Sequence, residues 1–512
     1  MSDRLRVGFC TSEAVPFAKT GGLADVAGAL PRALADNGCD VRIVLPAYGS
    51  IDRTAFAARE IGDADIPVGS KRARVQFLET VLPGTAVPVY LVANSASFDR
   101  PGLYGEAGRD YPDNLERFAV FCRGALALFR RLQWPPQVLH CQDWQTALIP
   151  AWLATEPRDA VLAEAGTLFT VHNLAYQGVF PREQLPLTGL RPDVFTPSGV
   201  EFYGKINLLK GGLVFADLLT TVSEQYAREI QTEEFGCGLE GILRGRTGEL
   251  IGILNGVDYT AWDPRHDRHI AANYGPGDLA GKAVCKAALQ QAVGLAQDPK
   301  APLIGMITRL ADQKGLDLVS AVIETVLDSG AQFTLLGTGD PAYHVRFKEL
   351  GQRYRGRAGI TLGFDEALAH RIEAGADIFL MPSRYEPSGL NQLYSLRYGT
   401  VPVVRKTGGL ADTITDATPD ALADGVANGF VFEPYAAAAL LEATTRALSA
   451  FRTPQVWRKL QDVGMRQDFS WGRSAERYLA AYQRVAVARE RTRLRPSARA
   501  GRTYGAPNSS DV

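Results

Sequence analysis

Charge of one sign is what this sequence most plainly lacks: 55 basic and 56 acidic side chains leave a formal net charge of -1 over 512 residues. A balance this close gives no global field to draw the chain to nucleic acid or an anionic membrane, so any anion site must be local. Paired cysteine motifs are missing too. Cys10, Cys39, Cys122, Cys141, Cys237 and Cys285 lie far apart and form no CxxC, which argues against a disulfide framework or a zinc ribbon and fits a reducing cytosol. No run approaches about 20 uninterrupted apolar positions. The opening MSDRLRVGFCTSEAVPF has no long apolar stretch, so neither membrane insertion nor export is expected and a cytoplasmic protein is. What is present is the balance of a large globular protein, 46% apolar and 22% charged. At roughly 150 residues per domain the length calls for two or three, with two large ones the first expectation.

Short β-branched runs recur, each followed by a longer helical pattern: LRVGFC at 5, VRIVLP at 41, VPVYLV at 87, QVLHCQD at 137, TLFTVHN at 167 and LLTTVS at 218. That rhythm predicts βαβ units and a parallel sheet. It resumes after 300 with PLIGMITR, AQFTLLGTGD, DIFLMPSR, VPVVRKTGG and GFVFEP, while 259–300 has no strand-like run. The expected domains are therefore 1–257 and 258–469. A last amphipathic helix over 470–488 follows, and then an Arg-, Pro-, Gly- and Ser-rich tail, 489–512, too poor in apolar residues to order itself.

One heptapeptide occurs twice. KTGGLAD runs from Lys19 to Asp25 and again from Lys406 to Asp412, each time before a helix-like segment. A Gly-Gly turn there can offer unpaired backbone N–H groups and the positive end of a helix to an anion, so two copies in two domains suggest one shared ligand.

Ligands of open α/β sheets bind outside the carboxyl ends of the strands, which directs attention to the polar residues there. In the first half these are Lys19, Gly21 and Gly22, then Asp143 in LHCQDWQTALIP and His172 in FTVHNLAYQGVF, with Asn173 and Tyr176 beyond it. In the second they are Arg309 and Lys314, Gly337 and Gly339 in LLGTGD, Glu386 in MPSRYEPSGLNQ, and Gly408 and Gly409. Arg309 and Lys314 flank a strand-to-helix turn, a spacing that lets a guanidinium fork and an ammonium converge on one diphosphate without a metal. Glu386 either caps the helix after it or accepts hydrogen bonds from sugar hydroxyls and stabilises positive charge at an anomeric carbon. Asp143 could equally cap the segment WQTALIPAWL. DPRHDRH, with His266 and His269, reads as a surface loop, since its arginines oppose a cation. GTGD lacks the rest of a dinucleotide fingerprint. Neither a metal nor any other cofactor is expected.

Taken in order, KTGGLADVAGALPRAL, LYGEAGRDYPDNLERFAVF, HCQDW, FTVHNLAYQG, NGVD, TRLADQKGLDL, PSRYEPSGLNQLYSLRYGTVPVVRKTGGLADT and FSW resemble the signatures of the bacterial glycogen synthases and plant starch synthases, over about residues 5–488. The resemblance implies an α/β protein of GT-B architecture, two Rossmann-like doubly wound domains facing a deep cleft with a C-terminal crossover helix. It implies retaining, metal-independent transfer of glucose from ADP-glucose to the non-reducing 4-hydroxyl of an α-1,4-glucan such as glycogen, with the acceptor on the first domain and the nucleotide sugar on the second. It places Lys19, Gly21 and Gly22 at the donor, Arg309 and Lys314 on its diphosphate, His172 and Glu386 on the transferred glucose, and Asp143 near the acceptor. Asn255 of NGVD, Gly337, Gly389 and the loop Thr407, Gly408 and Gly409 join the donor contacts. Ser388 stands where the pattern often has cysteine, and Phe364 where a tyrosine often faces the adenine; both keep the main physical property. Three rivals share parts of these features: a glucan phosphorylase, which would need a lysine-bound pyridoxal phosphate, a silent glucan-binding protein, and a sucrose-forming transferase. Oligomeric state is not legible.

Overall fold

Strands covered by helices on both sides are buried at every position rather than at alternate ones. Val138–Gln142, Gly166–Val171 and Gln332–Gly337 are of this kind, buried throughout. The computed structural model describes residues 4–106 and 108–494. They form two units, each around its own parallel sheet: the chain up to Val222, Ala227–Gly256 and the helix from Trp471 make the first, Ser223–Tyr226 and Val257–Ser470 the second.

In the first unit nine strands lie in the order Leu250–Gly252, Leu218–Thr221, Gly166–Val171, Val138–Gln142, Arg6–Cys10, Asp40–Pro46, Pro88–Ala93, Lys71–Val81 and Arg59–Val68. The first seven are parallel, and the last two are an antiparallel hairpin closing one edge. The edge strand is largely exposed and carries acids, as an edge must to discourage further pairing. In the second unit the order is Ala358–Leu362, Gln332–Gly337, Leu303–Ile307, Ile378–Met381, Val401–Arg405 and Phe430–Phe432, all parallel. Its core is continuous from Ile304, Val319 and Phe333 to Val403 and Leu440.

Among the parallel strands the order reverses once in each sheet, between Arg6–Cys10 and Val138–Gln142 and between Leu303–Ile307 and Ile378–Met381. At such a point the loops leaving neighbouring strands diverge and open a crevice at the strands' carboxyl ends. Cys10 pairs with Cys141 there in the first sheet, and Gly305 with Phe379 just below it in the second.

The helix Trp471–Leu494 belongs to the first unit. It buries Trp471, Ala475, Tyr478, Tyr482 and Val485, a stripe at helical spacing. Tyr482 Oη bonds His140 Nδ1 at 2.9 Å, and Ser474 Oγ donates to the Leu254 carbonyl at 2.6 Å. The helix runs six residues past the expected end at 488, because Arg, Glu and Leu continue it and proline comes first at 496. Residues 495–512, on which the rest of the expected disordered tail falls, lie outside the described residues. Among the described residues no helix is long and apolar enough to cross a membrane.

Candidate active site

At the reversal of the second sheet, the turn after Leu303–Ile307 and the loop after Ile378–Met381 are laced together by main chain. Arg384 N donates to the Gln313 carbonyl at 2.8 Å, and Gln313 Nε2 to the Tyr385 carbonyl at 3.3 Å. Gly315 sits so close that a Cβ would lie 2.1 Å from the Pro382 carbonyl oxygen. The lacing brings Lys314 Nζ to 2.6 Å from Glu386 Oε2, which also accepts from Ser383 Oγ at 2.9 Å. Glu386 is 6% exposed, and burying a charge is costly unless an opposite charge lies beside it. Its Oε1 takes no hydrogen bond among the described residues. Arg309 is exposed, with a guanidinium nitrogen 3.1 Å from Gln313 Oε1. Gly337 closes the next strand against Thr308, and Phe364, beyond the strand Ala358–Leu362, is 84% exposed.

The second heptapeptide completes this side. Thr407, Gly408 and Gly409 are buried, with Gly408 at φ +44°. A Cβ on Gly408 would lie 1.9 Å from the Glu386 carbonyl oxygen, and one on Gly409 1.9 Å from that of Ser388. The Gly409 amide donates to the Glu386 carbonyl at 3.1 Å. Ser388 is buried, its carbonyl accepting from Gln392 Nε2 at 3.0 Å, and Gly389 turns at φ +66°.

At the reversal of the first sheet, Asp143 follows Gln142 with φ +54°, a left-handed conformation that is costly for a residue with a side chain. It does not cap the turn Trp144–Thr146 after it. Its Oδ1 instead accepts from the His172 amide at 2.8 Å, so it holds the neighbouring loop in place. Burial pushes its carboxyl up to about 7, against the pull of the His172 and Asn173 amides and with help from the Glu13 charge. His172 Nε2 faces Gln142 Oε1 at 2.8 Å. Burial pushes the imidazole down to about 3, so it is neutral, with Nε2 carrying the proton in this arrangement. Gln142 Nε2 and Asn255 Oδ1 are both buried and have no hydrogen-bond partner among the described residues.

The first heptapeptide differs from expectation. Lys19, Thr20, Gly21 and Gly22 are exposed, but the Thr20 and Gly21 amides are not unpaired. Both donate to Glu13 Oε2, at 2.5 and 3.2 Å, and Thr20 Oγ1 and Tyr104 Oη donate to Glu13 Oε1, each at 2.6 Å. The protein's own carboxylate thus takes two of the amides that lead into the turn. Lys19 Nζ pairs with Asp25 at 2.7 Å. Glu13, Tyr104, Gln142 and Ser383 escaped the sequence reading. The one available signal was an acid, Glu13, three residues past a strand end and just before the glycine turn.

DPRHDRH is not simply a surface loop. Asp263 and Asp267 are buried, and Asp267 Oδ2 takes His370 Nδ1 at 2.7 Å and Tyr398 Oη at 2.6 Å. Arg265 and Arg268 are exposed, but Asp263 and Asp267 point inward and tie the loop to the second unit.

Known proteins are similar to this chain over nearly its whole length. Residues 6–245 match the family model of the starch synthase catalytic domain, and residues 290–459 that of group 1 glycosyl transferases. A glycogen synthase of Anaeromyxobacter dehalogenans (strain 2CP-C) is 52% identical over 94% of this chain and all of its own length. Glycogen synthase 1 of Methylococcus capsulatus is 50% identical over 94% of this chain and 96% of its own. The catalytic domain of starch synthase IV from Arabidopsis thaliana, bound to ADP and acarbose, superposes with a TM-score of 0.87 at 34% identity, covering 95% of this chain and all of that one. Sucrose-phosphate synthase from Thermosynechococcus elongatus, at 17% identity and a TM-score of 0.59, shares the fold alone. With half its residues identical to theirs over nearly its whole length, the chain belongs to the bacterial glycogen synthases, glycosyltransferases of GT-B fold.

Proposed function

We propose that the chain transfers glucose from ADP-glucose to the 4-hydroxyl at the non-reducing end of an α-1,4-glucan, with retention at the anomeric carbon. The observation that carries this reading is the Lys314–Glu386 pair at the sheet reversal, a buried carboxylate and a partly exposed ammonium fixed in one geometry. Of the three N–H groups of Lys314, one bonds Glu386 and two are left for phosphate oxygens. Arg309 adds a guanidinium from the same turn, and Phe364 offers a bare ring for the base. The ADP in the Arabidopsis structure supports the choice of nucleotide, and its acarbose the glucan acceptor.

In this reading the bond from C1 to the diphosphate oxygen breaks with its electron pair on ADP, and C1 acquires oxocarbenium character. Arg309 and Lys314 stabilise the departing diphosphate more than they stabilise the donor, which is what lowers the barrier. Glu386 Oε1 accepts from a glucose hydroxyl and opposes the charge growing at C1. The acceptor hydroxyl attacks from the face the diphosphate leaves and passes its proton to the leaving oxygen. His172, uncharged, donates or accepts a hydrogen bond without adding a positive charge beside C1. Asp143 positions His172, while Lys19 and the unsatisfied Asn255 Oδ1 and Gln142 Nε2 are contacts waiting for a polar ligand. Among the described residues Glu386 is bonded by Lys314 and Ser383 and by no second carboxyl group, which favours transfer on one face over a double displacement.

Incubating the protein and glycogen with labelled ADP-glucose or UDP-glucose tests the reading. Polymer-bound label is expected from ADP-glucose in clear preference. Label from neither donor, or equally from both, overturns it.

A further inference from the structure

Gln142 ends its strand at the reversal of the first sheet, paired with Thr170 of the neighbouring strand and fully buried. Asp143 follows it, and the two successive side chains hold the two ends of one residue. Asp143 Oδ1 accepts from the His172 amide at 2.8 Å, and Gln142 Oε1 lies 2.8 Å from His172 Nε2. A glutamine carbonyl oxygen only accepts, so Nε2 carries the proton of the neutral imidazole and Nδ1 keeps the lone pair. Nδ1 makes no hydrogen bond among the described residues.

His140, two residues back on the same face of the strand, is the contrast. Both its ring nitrogens are engaged, Nδ1 with Tyr482 Oη at 2.9 Å and Nε2 with Thr170 Oγ1 at 2.6 Å, as in a histidine that serves the core. His172 has one nitrogen fixed and the other unused. The remaining half of the Gln142 amide shows that packing is not what glutamine supplies here. Its Nε2 is buried with no hydrogen-bond partner among the described residues. Leucine or methionine would fill the same space without an unmade buried donor. The one bond this side chain makes among those residues is the bond to His172.

We propose that Gln142 is a positioning residue for the transfer: it holds His172 as the tautomer protonated on Nε2, so that Nδ1 meets the transferred sugar as an acceptor of a hydrogen bond from one of its hydroxyls. Which nitrogen of an imidazole bears the proton is set by the bond the other nitrogen makes. In an exchanging ring Nδ1 would alternate between lone pair and N–H, and an N–H aimed at a sugar that is gaining positive charge opposes what the lone pair favours. The sugar at Nδ1 rests on the proposed function; the tautomer does not. The titratable groups about the pair are His140, which burial keeps neutral, Asp143 and, beyond it, Glu13.

With six histidines in the chain, protein labelled with 15N in its imidazoles alone gives few signals, and their loss in His172→Asn assigns those of His172. In the native chain, without donor or glucan, Nε2 is expected to give the signal of a protonated nitrogen and Nδ1 that of a bare one. Gln142→Met should draw the two signals toward a common average and lower kcat about five- to thirtyfold, with KM for glycogen unchanged. Gln142→Glu puts an acceptor oxygen in the same place; it should keep the proton on Nε2, and His172 should take up its second proton at a higher pH than in the native chain. A native His172 protonated on Nδ1, or Gln142→Met with unaltered signals or unaltered kcat, overturns the inference, and the first of these needs no variant to fold. The expected native signals in a protein that transfers no glucose would sink the proposed reaction and leave the hold of Gln142 on His172 standing.

Discussion

In the first copy of the repeated heptapeptide a side chain added at Gly21 or Gly22 would meet no atom within 4 Å, whereas in the second the same addition at Gly408 or Gly409 would lie 1.9 Å from a backbone oxygen. The first copy starts the helix Gly22–Asp36 and is pinned from one side by Glu13. The second starts the helix Gly408–Thr413 and is wedged against Glu386 and Ser388. Seven identical residues thus encode the same turn into a helix and little else. In the second copy glycine is required because another segment touches it; in the first it is required, if at all, by something that is not protein. Identical sequence is here evidence of shared local geometry, and its function must be argued separately for each copy from what surrounds it.

The lysines beside the two sheet reversals should separate most. Lys314 is partly exposed and fixed against the buried Glu386, while Lys19 is half exposed on Asp25, a pairing that solvent renders nearly worthless. Lys314→Ala is expected to lower turnover by about two to three orders of magnitude, the usual cost of removing a fixed group that stabilises developing charge. Lys19→Ala should act mainly on KM for the donor. Steady-state kinetics on both folded variants would break the contrast if the two losses came out alike in kcat. The glycines come next. Gly409→Ala should destabilise by about 1–3 kcal/mol, since backbone must move to admit the methyl group. Gly22→Ala should leave the unfolding temperature unchanged, and an equal drop in both, read by calorimetry, would mean that the first copy is as tightly packed as the second.

Much of this was legible. Nearly continuous apolar runs followed by helical periodicity sufficed for two parallel sheets, because burial on both faces leaves that mark on every central strand. The hairpin Arg59–Val68 and Lys71–Val81 left no such mark: an edge exposed on one side alternates polar residues and reads as loop. At the site, single residues at strand ends could be named, but their partners could not. Lys314 and Glu386 are 72 residues apart and meet only because two strands out of sequence order lie side by side. Glu13 was invisible for a different reason, since a carboxylate that substitutes for a ligand has no motif of its own.

Glu13 offers the third test. With four donors converging on its two oxygens, Glu13→Gln turns one acceptor into a donor and leaves at least one hydrogen bond unmade, a cost of about 1–3 kcal/mol confined to this loop. Amide hydrogen exchange at Thr20 and Gly21 should quicken while that at Gly409 stays slow. Faster exchange at both copies would show that the two loops open together and are not independent.

The smallest effect belongs to Asp143, and its sign distinguishes a group kept for stability from one kept for function. Its carboxyl sits near 7 in the folded protein, raised by burial from the ordinary value of 3.8. Between those values the folded state binds the proton that the unfolded state has lost, so stability falls as pH rises from about 4 to 7 and stays low above it. Asp143→Asn removes the titration and keeps an oxygen for the His172 amide. It should therefore raise the unfolding temperature by a few degrees at pH 8 and hardly at all at pH 4, while lowering transfer activity if the negative charge serves the reaction. A variant less stable than the native chain at pH 8 would mean that the carboxylate is held by partners strong enough to offset its burial, and that the strained backbone at Asp143 serves the fold of the first unit.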